Sequence, residues 1–357
     1  VVSKLAESLP QVLSVGTATP PDRYTQEEVL AMFDSPDPRV RGFYLNGHIR
    51  TRHLVLPDPV DGKREPESQE ALIDKHRTWS VRLGREAIAR CLDPLGLTTA
   101  DVDYLACVTT TGYLCPGVSA YLVRDLGFRE DVHRIDVVGM GCNAGLNTLQ
   151  PTAAFCATNP GKLALMLCVE VCSAAYVNDG TLRSAIVNSL FGDGAAAVAL
   201  KTGSWVTPKG KRHGPRILGF ESHTISDALM AMRFDLYEGK LSFFLDRDIP
   251  YVIGSHVEKP IARLLKKFGL KRRQIAHWVV HSGGRKVIDS VKYNIGLTDH
   301  DVRHTLTVLR DYGNVSSGSF LFSLERLLEE RVTRPGDFGV LMAMGPGVAI
   351  ETALVQW

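Results

Sequence analysis

Apolar residues along the chain fall into short unbroken runs that alternate with longer, partly polar segments. ADVDYLACVTTTG reads as a strand of β-branched and small residues ending at Gly112, and CPGVSAYLVRDLG as a helix with Pro116 near its start and Gly127 after its end. IDVVGMG is a strand running into a glycine turn. CNAGLNTLQPTAAFCAT is helical, with Pro151 bending it or lying near its beginning. KLALMLCVEV is apolar throughout, as in a strand buried on both faces, and GAAAVALKTG is a further short strand. This alternation implies layered α/β structure rather than a bundle or a sandwich.

The second half of the chain replays the order of the first. VLSVGTATP is echoed by RILGFESHTI, and YLACVTTTGYLCPG with its helix by HWVVHSGGRKVIDSVKYNIGL. The helix opening at Cys142 is echoed by NVSSGSFLFSLERLLEE, LALMLCVEV by FGVLMAMGPG, and GAAAVAL by VAIETALVQW. Only order and element type repeat, not residues. Two similar α/β halves are therefore expected, residues 1–210 and 211–357. They meet in GSWVTPKGKRHGP, a Gly-, Pro- and base-rich stretch without periodicity. Its KGKRH run reads as a solvated loop, with anion binding as the alternative.

Composition narrows the function. The chain has 357 residues, 45% hydrophobic and 22% charged, which is ordinary for a folded protein. Its 41 Lys and Arg against 39 Asp and Glu leave a charge of +2, so no electrostatic footprint for DNA or RNA exists. The opening VVSKLAESLP carries Lys and Glu before any apolar core, and no secretory leader is expected. The longest uncharged run, Val137 to Gly161, is interrupted by Asn, Gln and Pro, and no membrane span is expected. The seven cysteines (91, 107, 115, 142, 156, 168 and 172) are odd in number and lack a C-x-x-C pair, which suggests reduced thiols in a cytoplasmic protein.

One cysteine invites chemistry. In HRIDVVGMGCNAGLN, Gly139-x-Gly141-x-x-Ala144 follows a strand and precedes a helix, matching the dinucleotide-binding fingerprint, with Glu170 as the ribose acid. An NAD-dependent oxidoreductase is thus one reading. The other centres on Cys142 at a helix start, where unpaired N–H groups favour a thiolate, among small neighbours Gly141, Ala144 and Gly145. A buried structural thiol is the default for a single cysteine, and it is accepted for Cys91, Cys107, Cys156 and Cys168.

A nucleophilic Cys needs a partner, usually His. His48, His53, His76, His213 and His300 lie in polar stretches and are read as surface residues. His281 instead ends the run IAHWVVH before Ser282-Gly283-Gly284, at a strand end of the kind where α/β folds place functional side chains. Asn314 precedes an apolar helix, where an N-cap is the simpler reading. The internal echo places Asn314 in the second half where Cys142 stands in the first, so Cys142, His281 and Asn314 should converge.

GMGCNAGLN, HSGG, DYGNVSSGS, LFGDGAAA and the terminal MGPGVAIETALVQW together resemble the type III polyketide synthases, the chalcone synthase-like family. The spacings from 142 to 281 to 314 agree with that pattern, and the resemblance covers nearly the whole chain. It implies a thiolase-like fold, two duplicated halves forming αβαβα layers, working as a homodimer. Several longer stretches, among them CSAAYVNDGTLRSAIVNSLFGDGAAAVAL and SFFLDRDIPYVIG, look like the branch serving glycopeptide-antibiotic pathways. That branch uses four malonyl-CoA as starter and extender to make the aromatic precursor of dihydroxyphenylglycine. A ketoacyl-ACP synthase III shares the fold and triad and is the alternative within the fold.

The resemblance also assigns roles. Cys142 carries the growing acyl chain, as a thiolate favoured by the helix start and by His281. His281 and Asn314 donate to the enolate left when malonyl-CoA loses CO2. Phe191 and Phe243 are gatekeeping aromatics between CoA tunnel and cavity, with core packing as the alternative. Arg50 and Arg52 resemble the bases that meet CoA phosphates, with surface charge as the alternative. Gly345-Pro346-Gly347 matches the loop lining the cyclisation cavity. Cys115 stands where plant members usually have Met reaching across the dimer, and Cys172 and Ala175 where they have Thr, so the cavity wall differs and a phenylpropanoid starter is not expected. The scheme requires no cofactor and no metal; malonyl-CoA is the substrate and CoA a product. Accessory pathway enzymes are possible partners.

Overall fold

The computed structural model describes residues 8–33, 37–59, 64, 66–177, 181–203, 214–237 and 239–357. The strands are β1 (Gln11–Ala18), β2 (Arg23–Thr25), β3 (Thr51–His53), β4 (Tyr104–Thr109), β5 (His133–Val138), β6 (Ala164–Glu170), β7 (Gly194–Lys201), β8 (Arg216–Thr224), β9 (Met232–Tyr237), β10 (Lys240–Leu245), β11 (Ile275–Val280), β12 (Phe338–Gly345) and β13 (Ala349–Gln356). The helices are α1 (Gln26–Phe33), α2 (Pro38–Leu45), α3 (Gln69–Leu92), α4 (Val118–Leu126), α5 (Ala144–Thr158), α6 (Leu182–Leu190), α7 (Ile249–His256), α8 (Glu258–Lys267), α9 (Arg285–Ile295), α10 (Arg303–Tyr312) and α11 (Ser319–Glu330).

Nine strands form one mixed sheet in the order β11-β12-β13-β8-β1-β7-β6-β4-β5. β4 runs parallel to β5 and β6, and β11 parallel to β12; the remaining neighbours are antiparallel. The runs read as doubly buried strands are so: every residue of β6 is buried, and all of β7 but its last. β1 and β8 share only the pair Gln11–Arg216, so the sheet divides there into a five-strand and a four-strand part. On either side of that junction the strands follow the same rank, β1-β7-β6-β4 mirrored by β8-β13-β12-β11.

Helices α5 and α11 fill the space between the two parts. α5 packs on β4, β6 and β7 and also on β12 and β13; α11 packs on β1 and β7 and also on β11 and β12. Both are therefore buried most completely in their N-terminal halves, with Ala144, Leu146 and Leu149 on one and Phe320, Leu321, Phe322 and Leu324 on the other. α3 covers the outer face of β1, β6 and β7, and α8 that of β8 and β13, which completes five layers, αβαβα. Pro151 lies in the middle of α5, not near its start, on an exposed position, and the helix forgoes there one hydrogen bond to the carbonyl four residues back. The expected junction at 210/211 lies outside the described residues.

Candidate active site

The mouths of α5 and α11 meet. The turn Gly141–Asn143 leads into α5 and the turn Ser316–Gly318 into α11, and the two turns pack on each other. By element the counterpart of Cys142 is thus Ser317, three residues beyond the position assigned to Asn314. Ser316 Oγ stands 3.6 Å from Cys142 Sγ. Ser316 has φ +43°, a left-handed backbone that is uncommon without a glycine, and its N–H donates to Asn314 Oδ1 at 2.9 Å. With its oxygen held there and by Ser319 Oγ at 3.3 Å, the Asn314 amide keeps its NH2 as a donor, and hydrogen bonding from Asn314 favours the ionised form of Cys142. The cap-like bond and the catalytic geometry are one arrangement.

Cys142, Cys172, Ala175, Phe191, Phe243 and Pro346 line a cavity of about 390 Å³, part of it open to solvent. The rings of Phe191 and Phe243 meet edge to face at 5.6 Å and 89°. Gly345 is forced by a close approach: a Cβ there would lie 2.3 Å from Asn143 Oδ1 and 2.9 Å from the Cys142 nitrogen. Gly141, at φ +83°, is covered by the Pro346 ring so closely that a Cβ would sit 2.1 Å from Cδ. Gly347 takes φ +89° at the turn into β13.

His281 follows β11; its N–H donates to Met342 O at 2.8 Å, it is 2% exposed, and Nδ1 has no hydrogen-bond partner. Burial pushes its imidazole down to about 3. Burial also pushes the Cys142 thiol up to about 12, against hydrogen bonds from Ser316 and Asn314 that favour the thiolate. Burial thus favours a neutral thiol and a neutral imidazole, and it opposes the hydrogen bonds and the helix start that favour the thiolate.

Other expectations are corrected too. Arg52 is fully buried and meets no CoA phosphate; its Nη1 donates to Asn188 O at 2.5 Å and Phe191 O at 2.7 Å. Arg50 and Cys115, by contrast, are both exposed. His76 is not a surface residue but 1% exposed behind Thr109 and Thr111, held neutral by burial at about 4. His213 lies outside the described residues. The dinucleotide reading fails because Glu170 is wholly buried, accepting from Thr110 N and Oγ1 at 2.9 Å and from Ser317 Oγ. Pro346 also occupies the space over Gly141 that a pyrophosphate needs.

Sequence reasoning missed Thr110, Thr111, Val187, Phe234 and Ser316, which also line the cavity. Thr110 and Thr111 follow β4 at a strand end, the same signal that singled out His281. Phe234 is the cross-strand partner of Phe243 in the β9–β10 hairpin, a pairing visible only once the hairpin register is known.

Known proteins supply the context. The profile "Chalcone and stilbene synthases, N-terminal domain" matches residues 2–204 and its C-terminal companion residues 222–357. The chain is 55% identical to the 3,5-dihydroxyphenylacetyl-CoA synthase of Streptomyces toyocaensis, covering 98% of this chain and 90% of the relative. It is 54% identical to that of Amycolatopsis balhimycina, covering 100% and 95%. The crystal structure of 1,3,6,8-tetrahydroxynaphthalene synthase from Streptomyces coelicolor A3(2), a bacterial type III polyketide synthase, superposes with a TM-score of 0.88 at 26% identity, over 97% of this chain and 99% of that one. With both halves matched and the Cys, Asn and aromatic cavity assembled at their junction, the chain belongs to the chalcone and stilbene synthase family, the type III polyketide synthases.

Proposed function

We propose that this acyltransferase condenses four malonyl-CoA and cyclises the product to 3,5-dihydroxyphenylacetyl-CoA, a precursor of dihydroxyphenylglycine for antibiotic biosynthesis. The observation that carries the reading is identity above 50% over nearly the whole chain to synthases of that name, around a cavity whose wall is mostly apolar.

In the proposed reaction the Cys142 thiol attacks the starter thioester. Its proton passes to the neutral imidazole of His281, which an acceptor nitrogen permits, and CoA leaves. A second malonyl-CoA then loses CO2. The electron pair of the broken C–C bond becomes an enolate whose oxygen accepts from Asn314 and His281. Apolar walls at Phe191, Phe243 and Phe234 deny the malonyl carboxylate its hydration and favour its loss. The enolate carbon attacks the acyl carbonyl on Cys142, the C–S bond breaks and frees the cysteine sulfur, and the extended chain, now on CoA, transfers back to Cys142 with release of CoA before the next round. No metal and no cofactor enters this scheme, and Gly345-Pro346-Gly347 shapes the space where the chain folds before cyclisation.

The working unit in this reading is a cytoplasmic homodimer. Its support is an unpaired edge: β5 ends the sheet with Ile135 and Val138 exposed, and Met140, Tyr113 and Cys115 beside it are exposed too. A second copy seated there covers these side chains and brings Cys115 toward its partner's cavity. Arg50 and neighbouring bases would meet CoA phosphates, and accessory pathway enzymes would act on the released product.

Malonyl-CoA alone, incubated with the protein and followed by mass spectrometry, tests the proposal. A dihydroxyphenylacetyl-CoA is expected; a naphthalene or a pyrone as sole product, or turnover only with an acyl carrier protein, overturns it.

A further inference from the structure

Arg52 lies outside the cavity wall yet is the largest side chain with no exposure at all. A buried guanidinium ordinarily faces a carboxylate. Here its hydrogen-bond partners are neutral oxygens: Gln26 Oε1 at 3.0 Å, Tyr176 Oη at 2.8 Å, and the carbonyls of Asn188 and Phe191. Nη2 has no partner.

The two carbonyls belong to the C-terminal end of α6 and the residue that follows it. A helix C-terminus carries partial negative charge and unpaired carbonyl groups, so a cation placed there is stabilised without an acid. Gln26 extends the grip, its Nε2 donating to Ser189 O at 2.9 Å while its Oε1 accepts from Arg52. Tyr176 Oη also donates to Phe191 O, at 2.5 Å. Contacts to three carbonyls of one turn, those of Asn188, Ser189 and Phe191, thus fix where α6 ends.

What α6 releases matters to the site. Asn314 N–H donates to Leu190 O at 2.9 Å and Gly192 N–H donates to Asn314 O at 3.0 Å, a parallel bridge that ties Phe191 to Asn314. The Arg52 stem packs beneath this bridge. A Cβ on Gly313, which stands at φ +71°, would lie 2.8 Å from Arg52 Cδ. One side chain therefore supports, from behind, both the gate ring and the residue whose amide reaches Cys142.

We propose that Arg52 is a positioning residue that sets Phe191 and Asn314 together, using the negative end of α6 as its counter-charge. The inference rests on the condensing role given above to those two residues. A planar fork with fixed donor directions is required, since it serves Nε and Nη1 partners at once; a lysine supplies a single flexible ammonium.

The test uses the full chain with R52K, and Q26A as a milder variant that leaves the cation in place. Three quantities are read for each: melting temperature, the rate of Cys142 alkylation by iodoacetamide, and the kcat and KM for CO2 release from malonyl-CoA. R52K is expected to fold, to lose roughly tenfold in kcat, part of the loss typical of removing an oxyanion donor, and to slow in alkylation by clearly less than that, since Asn314 is one of two groups that favour the thiolate. Q26A is expected to lose about threefold in the same direction. An unchanged kcat in folded R52K, or alkylation falling in step with decarboxylation, overturns the proposal. A crystal structure of R52K with Phe191 and Asn314 in their wild-type places overturns it whatever the activity. Wild-type protein that releases no CO2 overturns the function and not this placement, which the R52K structure still decides.

Discussion

The Ser316 N–H and the Asn314 Oδ1 are 2.9 Å apart, so the strained backbone of one residue fixes the amide of the other. The Asn314 NH2 remains as the donor that favours the Cys142 thiolate. Asn314→Ala removes that donor while sparing the thiol. Malonyl-CoA decarboxylation is expected to fall about 100- to 1000-fold, with Cys142 still alkylated by iodoacetamide. A loss below tenfold would place the enolate elsewhere.

Cys142→Ala removes only a sulfur from a turn whose shape is set by Gly141, Gly345 and Pro346. Product formation should vanish. Thermal unfolding should move little, because the replaced group is small and the backbone stays within its own conformation. Retained condensation would sink the assignment of the nucleophile.

Gly345→Ala tests the close approach directly. The new Cβ meets backbone and side chain of Asn143 rather than a flexible chain end, so the Cys142 turn must move. Overpacking of this kind costs about 1–3 kcal/mol. Chemical denaturation should show that loss, and the single-turnover acylation of Cys142 should slow more than binding of CoA weakens.

Phe191 and Phe243, meeting edge to face, should show coupling beyond their separate burial. A double-mutant cycle with Leu at each position is expected to give an interaction of about 1 kcal/mol in unfolding free energy. The same variants should admit water, seen as a larger share of prematurely released, hydrolysed chains.

Acid should destabilise the protein through two histidines. His76 and His281 are held neutral in the folded state, at about 4 and about 3, against 6.5 when unfolded. The unfolded chain thus binds more protons between these values. Stability is complete above pH 6.5 and is lost as pH falls below it. At pH 5 each group costs about 2 kcal/mol by linkage. Urea unfolding at pH 7.5 and 5 should show the fall, and His76→Gln should shrink the difference by about one histidine's share. Equal pH dependence in that variant would exclude His76 as a contributor.

The sequence by itself determined the strand and helix order, the doubly buried character of β6 and β7, and the replay that sets α5 against α11. These are local patterns, since period and turn residues are written into each segment. It also singled out Cys142, His281 and Asn314, each at an element end, and Phe191 and Phe243 through their motifs. Tertiary structure alone decided the rest. Whether a cysteine ionises depends on how much water reaches it and on what stands nearby, and burial of Cys142 opposes the thiolate that its helix start favours. Whether an arginine meets solvent or the end of a helix cannot be read from its neighbours, since Arg50 and Arg52 share a segment and have opposite fates. Ser316 and Phe234 reached the cavity through a turn-to-turn contact and a hairpin register. Such relations join residues far apart in the chain, and only packing brings them within reach of one another.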